Sequence, residues 1–384
     1  MRISELAGKS ICILGFGREG RAMLKALQEY APGCRITIAD RNKELERKNY
    51  DTQLGEGYLS NLDRFEVIIK SPGIPPNSKL KTQNSKLTTP TQIFFDTIKD
   101  SGATVIGVTG SKGKSTTASL IAAILKAAGK DVLLIGNIGE PAIAHLKDAQ
   151  PGALFVMEMS SYQLMDLTVS PRIAVITAFF PEHLDYHGSL EAYKEAKKHI
   201  ARFQTKDDRV FFAADSAGAR EIVAESPGKR IPFSASDAPV ALGETKLLGA
   251  HNLSNIAAAF LVSRELGVPK EAAVGAIRNF TPLPHRLQSL GVIGGIEWVD
   301  DSISTTPESA IAALDALDDH VATIILGGQD RGYDFTPLAK RLKNSKVQTI
   351  ILLPDSGATI RKAIEQEGVT APCHAAATMK EAVT

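Results

Sequence analysis

Short apolar runs bounded by glycine alternate along this chain with stretches in which apolar side chains recur every three or four positions. The first pattern is that of strands buried on both faces, the second that of helices packed on them. SICIL at 10–14 reads as a strand and REGRAMLKALQEY at 18–30 as an amphipathic helix; RITIA at 35–39 and EVII at 66–69 are further strands. A Ser/Thr/Pro/Asn-rich stretch at 71–91 reads as loops. A second strand–glycine–helix unit starts at Ala103: the strand ATVIGVTG, the loop GSKGKST, and the helix TASLIAAILKAAG, closed by Gly129. Buried strands follow at 132–135, 153–157 and 173–177, and a helix is expected at 191–203. TPLPHR, with two prolines in six residues, reads as a rigid linker. Beyond it come EWVDD, the helical ESAIAALDAL, the strands VATIILGG and VQTIILL, and the helix SGATIRKAIEQEG. Strand-then-helix order repeated in this way predicts parallel sheets, hence an α/β protein of three domains at about 1–97, 98–282 and 283–384.

A chain of 384 residues is too long for one ordinary domain, and 43% hydrophobic with 23% charged residues is normal for a globular protein. The net charge of +1 gives no bulk attraction to nucleic acid or to an anionic membrane, so an anionic ligand must be held by local groups. Cys12, Cys34 and Cys373 are too few and too scattered for a disulfide framework or a zinc site. No run approaches the ~18 apolar residues of a membrane helix, and the N-terminus reads as a first strand rather than a signal peptide. A cytoplasmic protein is expected.

Two glycine loops carry the candidate chemistry. Gly15, Gly17 and Gly20 form G-x-G-x-x-G between a strand and a helix, with Asp40 twenty residues on at the end of the next strand. Such a turn lets backbone N–H groups approach a pyrophosphate, and the acid suits a ribose hydroxyl. Alone it would favour NAD, or serve only as a packing turn. The second loop, Gly110-Ser111-Lys112-Gly113-Lys114-Ser115-Thr116, departs from the strict phosphate-loop pattern because Val108 stands at the first glycine position. Its working parts are present. The glycines let N–H groups converge on phosphate oxygens, Lys114 supplies charge for the β/γ-phosphates, and Ser115 or Thr116 can ligate Mg²⁺. Glu158 and His183 follow buried strands, where an open α/β sheet forms its ligand crevice. Lys197, beside Lys194 and Lys198, reads on its own as part of a solvated basic face, and His187 reads as surface.

GVTGSKGKST resembles the ATP loop of the Mur ligases and of the related folylpolyglutamate synthases. In the same order, GNIGEP at 136–141, MEMSSYQL at 157–164, HLDYHGS through EAYKEAKKHI at 183–200, HNLSNIAAAF at 251–260 and LPHR at 283–286 are similar to Mur ligase stretches. The resemblance covers nearly the whole chain and points to the glutamate-adding members of that family. It implies a Rossmann-like first domain, a central ATPase domain and a Rossmann-like third domain. It implies an ATP- and Mg²⁺-dependent ligase, acting as a monomer. That ligase adds glutamate, D-glutamate foremost, to UDP-N-acetylmuramoyl-L-alanine through an acyl phosphate.

By the same resemblance Gly17, Arg18, Glu19, Asp40, Arg41, Ser71 and Asn137 would face the UDP precursor. Gly110 to Thr116, Asn252, Asn255, Arg286 and Asp301 would face ATP, and Ser115, Glu158, His183 and a carbamylated Lys197 would hold metal. Lys114, Asn137, His183 and Lys197 would serve the chemistry. The chain departs from the family at Ile303 and Arg331, each where lysine is usual. Arg331, Thr305 and Thr306 are therefore the groups expected at the amino acid, with L-glutamate an alternative to D-glutamate. The family continues with a serine-rich loop and a last helix, so the third domain is expected to be incomplete. A folylpolyglutamate synthase-like ligase lacks such a first domain, and a nicotinamide oxidoreductase would leave GSKGKST unexplained. A non-catalytic binding module derived from the ligase is the remaining alternative.

Overall fold

Strand sequences such as LFVME and IAVI are buried at every position, the signature of parallel sheets covered on both faces. The computed structural model describes residues 1–384 except 46–49, 76–79, 81–84 and 318–319. The chain divides into two compact units, one of residues 1–239 with 253–277, the other of residues 240–252 with 278–384.

The first unit holds two parallel sheets. Strands β1 (Ser10–Leu14), β2 (Arg35–Asp40), β3 (Asp51–Leu54), β4 (Val67–Lys70) and β5 (Lys86–Thr88) form the first, in the order β3-β2-β1-β4-β5. The order reverses between β1 and β4, and ligands of such sheets bind outside that point. Strands β6 (Thr104–Thr109), β7 (Val132–Gly136), β8 (Leu154–Glu158), β9 (Ile173–Ile176), β10 (Arg209–Ala213) and β11 (Lys229–Phe233) form the second, in the order β11-β10-β9-β6-β8-β7. All pair in parallel, so Thr109, Gly136, Glu158 and Ile176 end at the same edge. The helix Pro90–Ile98, capped by the Thr89 hydroxyl, sets Phe94 edge-on against Phe155 of β8 at 5.5 Å between ring centres. One continuous apolar core includes Ile13, Leu27, Phe94 and Phe155.

The second unit contains an antiparallel hairpin, β12 (Gln288–Ile293) with β13 (Ile296–Asp300), and a parallel sheet of β14 (Thr323–Gly328), β15 (Thr349–Asp355) and β16 (Cys373–Ala375). Its own core gathers Leu314, Leu338, Leu342, Ile350 and Ile360.

The helix at 18–30 and the strand at 10–14 lie where the pattern puts them, and the expected helix at 191–203 runs Leu190–Arg202 because the Ser189 hydroxyl caps it. Part of the stretch 71–91 lies outside the described residues, and the rest is not only loop: it holds β5 and the start of the helix at Pro90. Strands β3, β5, β10 and β11 are not among those the pattern predicts, although β10 carries the apolar run VFFA. Three of them are sheet edges, where one side of the strand is open, and β11 tolerates Pro232 for that reason.

Candidate active site

The phosphate loop joins β6 to the helix Lys114–Ala127. Gly113 has φ +84°, and a Cβ there would meet the Asn255 Oδ1 at 2.3 Å, so both backbone and neighbour require glycine. Asn255 accepts from the Thr117 hydroxyl at 3.2 Å and so braces the helix beneath the loop. The Lys114 ammonium folds over the loop, donating to the carbonyls of Gly110 (2.9 Å) and Ser111 (2.7 Å). Ser115 is buried in the first helical turn, with Thr116 partly exposed beside it. The loop is laced to the segment after β9. The Ser111 hydroxyl donates to Phe180 O and accepts from Phe180 N–H, both at 2.8 Å, and lies 3.1 Å from the Tyr193 hydroxyl. Lys112 forms an ion pair with Glu182 at 2.9 Å.

Around this loop stand the candidate metal and catalytic groups. Glu158, at the end of β8, is 1% exposed; one of its oxygens accepts from the Asn137 carboxamide at 2.7 Å. The other is buried and has no hydrogen-bond partner. A dehydrated carboxylate oxygen costs free energy unless a cation or donor meets it, and a site with one carboxylate, one imidazole and a serine hydroxyl suits Mg²⁺, which keeps most of its waters. Among the described residues no cage of three or more His, Cys, Asp or Glu side chains is present.

Lys197 is not on the solvated face. It is 1% exposed, and its Nζ donates to Gly110 O at 2.8 Å and Thr109 Oγ1 at 3.3 Å, 4.8 Å from the centre of the Tyr193 ring. Burial, and then the Lys114 charge, push its pKa well below the usual lysine range against the pull of Glu182 and Glu158. Lys194 and Lys198 do face solvent, paired with glutamates. His183 has φ +56°, a left-handed conformation uncommon outside glycine. Burial leads in lowering its pKa, with Lys114 and Lys197 adding to the effect and Glu182 opposing it.

His187 corrects the surface reading: it is 8% exposed, its Nε2 is 3.0 Å from the Ser161 hydroxyl, and it stacks on Tyr162 at 5.5 Å. A four-residue turn gives no periodicity from which its inward direction could be read.

The first glycine loop opens on a cavity of about 410 Å³. Gly15, Phe16, Gly17, Arg18, Glu19 and Asp40 line one side, Ser71 to Ile74 the floor, and Asn137, Ser160, Tyr162 and Gln163 the far side. Gly20 lies so close to the first strand that a Cβ would meet Gly15 O at 2.2 Å. The Asp40 carboxylate accepts from Phe16 N–H (2.6 Å) and Asn42 N–H (2.8 Å), so it shapes the loop. The Ser71 hydroxyl donates to Gly15 O at 2.7 Å. Arg18 reaches across to the carbonyls of Asn137 and Gly139, and Arg41 is exposed. Burial raises the pKa of Glu19, opposed by a hydrogen bond from Gln163 at 3.0 Å. Gln163, Tyr162 and Tyr193 were not singled out from the sequence. Ser160-x-x-Gln163 is a capping box, and Tyr193 lies one turn before Lys197; both were available signals.

In the second unit, Asn252 is buried and donates to Leu248 O at 2.7 Å. Asp301 accepts from Leu287 N–H (3.0 Å) and the Ser304 hydroxyl (2.5 Å), next to Arg286 in the chain. The Thr306 hydroxyl accepts from Ser309 N–H at 3.3 Å at the start of the helix Pro307–Leu317. Thr305, Ile303 and Arg331 are exposed. Among the described residues no helix is long and apolar enough to cross a membrane.

Residues 108–242 match the Mur ligase middle domain and residues 285–384 the Mur ligase glutamate ligase domain. A UDP-N-acetylmuramoylalanine–D-glutamate ligase of Symbiobacterium thermophilum is 34% identical over 97% of this chain and 88% of its own. A UDP-N-acetylmuramoyl-L-alanine–L-glutamate ligase of Salinispora tropica is 34% identical over 95% and 86%. In fold, the chain is similar to a UDP-N-acetylmuramate–alanine ligase of Thermotoga maritima, with a TM-score of 0.62 and 19% identity over 96% of this chain and 90% of that one. With a third of its residues shared along nearly its whole length with such enzymes, and the phosphate loop, Glu158 and Lys197 gathered at one sheet edge, this chain belongs to the Mur ligase family.

Proposed function

We propose that this chain uses ATP and Mg²⁺ to join glutamate to the alanine carboxylate of UDP-N-acetylmuramoyl-L-alanine, a step in peptidoglycan synthesis. The observation that carries the reading is the buried Lys197 amine beside the phosphate loop, together with the unpartnered oxygen of Glu158. In this reading the segment 1–97 takes the UDP moiety, 98–282 takes ATP, and 283–384 brings the amino acid.

The precursor carboxylate attacks the γ-phosphorus of ATP. The bond to ADP breaks and an acyl phosphate forms. The glutamate amine attacks the acyl carbon, phosphate leaves, and the amine loses its proton as the amide forms. Lys114 and the loop N–H groups hold the triphosphate in line and offset its charge. Ser115, Glu158, His183 and Lys197 are the groups that would hold Mg²⁺, which would neutralise charge on the phosphoryl oxygens when bound. Lys197 suits that task once carbamylated. A neutral amine adds to the carbon of CO₂ and one proton leaves, which turns a cation that would repel metal into an anion that binds it. Asn137, oriented by Glu158, lies between the precursor cavity and this site. Asn252, Asn255, Arg286 and Asp301 are assigned to the nucleotide, and Arg331 with Thr305 and Thr306 to the glutamate carboxylates, because a guanidinium can clamp a carboxylate with two hydrogen bonds.

The test is phosphate release from ATP and Mg²⁺ with UDP-N-acetylmuramoyl-L-alanine and each glutamate enantiomer in turn. Release that requires the precursor and one enantiomer is expected. Release that ignores the precursor, or none with either enantiomer, overturns the reading.

A further inference from the structure

The floor of the 410 Å³ cavity is the short segment after β4, Ser71 to Ile74. Two of its carbonyls, those of Pro72 and Ile74, have side-chain partners that the proposed reaction does not use. The Tyr186 hydroxyl shares its proton between Pro72 O at 2.8 Å and Ile74 O at 3.0 Å. The Lys70 ammonium, 2% exposed, lies 3.5 Å from Ile74 O and 2.6 Å from the Asp166 carboxylate. A buried lysine paired with a carboxylate is held in place, since leaving that partner would strand a charge.

Tyr186 belongs to the turn Leu184–His187, and the residue that starts this turn is His183. The turn is rigid at both ends. His187 and Gly188 donate their backbone N–H groups to His183 O (3.0 Å) and Leu184 O (2.8 Å). The His187 ring is held by Ser161, and the Tyr186 ring packs on Tyr162, a wall of the same cavity, at 4.0 Å between centres. A left-handed histidine is held in that conformation only by what surrounds it. One four-residue turn therefore grips the cavity floor through Tyr186 and sets the backbone of His183.

We infer that Tyr186 is a positioning residue that couples the precursor cavity to the His183 side of the phosphate-transfer site. The inference rests on the functional reading above. Filling the cavity fixes the 72–74 segment, the segment fixes the Tyr186 hydroxyl, and the turn carries that order to His183. Removing one oxygen in Tyr186→Phe keeps the ring packing, takes the hydroxyl from Pro72 O and leaves Ile74 O with its contact to Lys70.

The experiment has two arms. In steady-state assays Tyr186→Phe raises the KM for UDP-N-acetylmuramoyl-L-alanine by roughly threefold to tenfold, the range of one lost hydrogen bond. The KM for ATP stays within about twofold, a split that mere loss of stability would not produce. In hydrogen exchange on the unaltered protein, the same UDP compound slows the amides of His187 and Gly188 together with those of Gly73 and Ile74. That arm stands even if the variant folds poorly. Turnover with an unchanged precursor KM in Tyr186→Phe, or protection confined to the cavity lining, overturns the coupling alone. No turnover and no protection anywhere in the unaltered protein overturn the functional reading and this inference with it.

Discussion

An amine enclosed beside a second cation is stable only if it gives up its proton or acquires the opposite charge. Lys197 is such an amine: burial, and then the Lys114 charge, push its pKa well below the usual lysine range. Lys197→Ala is expected to be nearly inactive, and added acetate or formate to restore part of the rate by occupying the vacated anion position; a fully active alanine variant would contradict the assignment. His187 gives a second prediction. Its pKa is lowered to about 4, mainly by burial and then by His183 and Lys197. An unfolded histidine titrates near ~6.5, so between those values the unfolded chain binds the extra proton. The stability His187 contributes is complete above about pH 6.5 and is lost as pH falls toward 4. His187→Gln should flatten the fall of Tm between pH 7 and pH 5, and an unaltered slope would show that other histidines dominate. Lys197 is set apart from Lys194 and Lys198 by the family resemblance, not by the residue pattern alone. Its helical phase with Tyr193, Ala196 and Ile200 marks the buried side, but a lysine on that side reads as an error in the pattern until a partner is known. Glu158 was visible as a residue following a strand and Asn137 only through the family resemblance, and their hydrogen bond depends on the pairing of Gly136 with Glu158, which no local pattern encodes.

At the level of elements, two glycine loops follow the central strands β1 and β6, and each is specified by one close approach. At Gly20 the obstacle is the Gly15 carbonyl, a backbone atom that cannot turn aside. Gly20→Ala should cost about 1–3 kcal/mol of stability through overpacking and raise the precursor KM, with the ATP KM nearly unchanged; urea melts and initial rates check both. An equal rise in the two KM values would mean that the loop does not serve one ligand. Central strands were readable because burial on both faces removes polar alternation, as in VIIK and LFVME. The edge strand DTQL carries little apolar surface and does not stand out from a loop, whereas RVFFA beside β11 carries an apolar run from which a strand could have been read. The hairpin of β12 and β13 escaped for the opposite reason. Leu290, Val292, Ile293 and Ile296 are all half or more exposed, and an apolar pattern on solvent-facing strands points to no core.

For the whole molecule, a ligand that binds only the folded chain raises stability by mass action. At a hundredfold excess over Kd the gain is about 2.7 kcal/mol. UDP-N-acetylmuramoyl-L-alanine should therefore raise the Tm, while NAD at the same concentration should leave it unchanged; protection by NAD alone would return the first glycine loop to a dinucleotide role. The division into sheets was readable from strand–helix alternation. The pairing order was not, because β6 lies between β8 and β9, which follow it by some fifty residues and more. The packing of Phe94 against Phe155 has a consequence in time. All five strands of the first sheet have been made once residue 88 is added, and the helix that carries Phe94 can rest on the N-terminal segment, where Ile3 N–H donates to Thr97 Oγ1 at 3.0 Å, yet Phe94 lacks its partner Phe155 until β8 is synthesised. At ~5–20 residues per second the nascent chain spends several seconds with a hydrogen-bonded sheet whose apolar face is only part covered, by the helix Arg18–Tyr30 and the N-terminal segment. A fragment of residues 1–100 should bind a hydrophobic dye that the full chain ignores, and a dye-silent fragment that melts cooperatively would show that the first sheet can cover itself. Wherever that face is bare, it is a surface for a chaperone or for another unfinished copy.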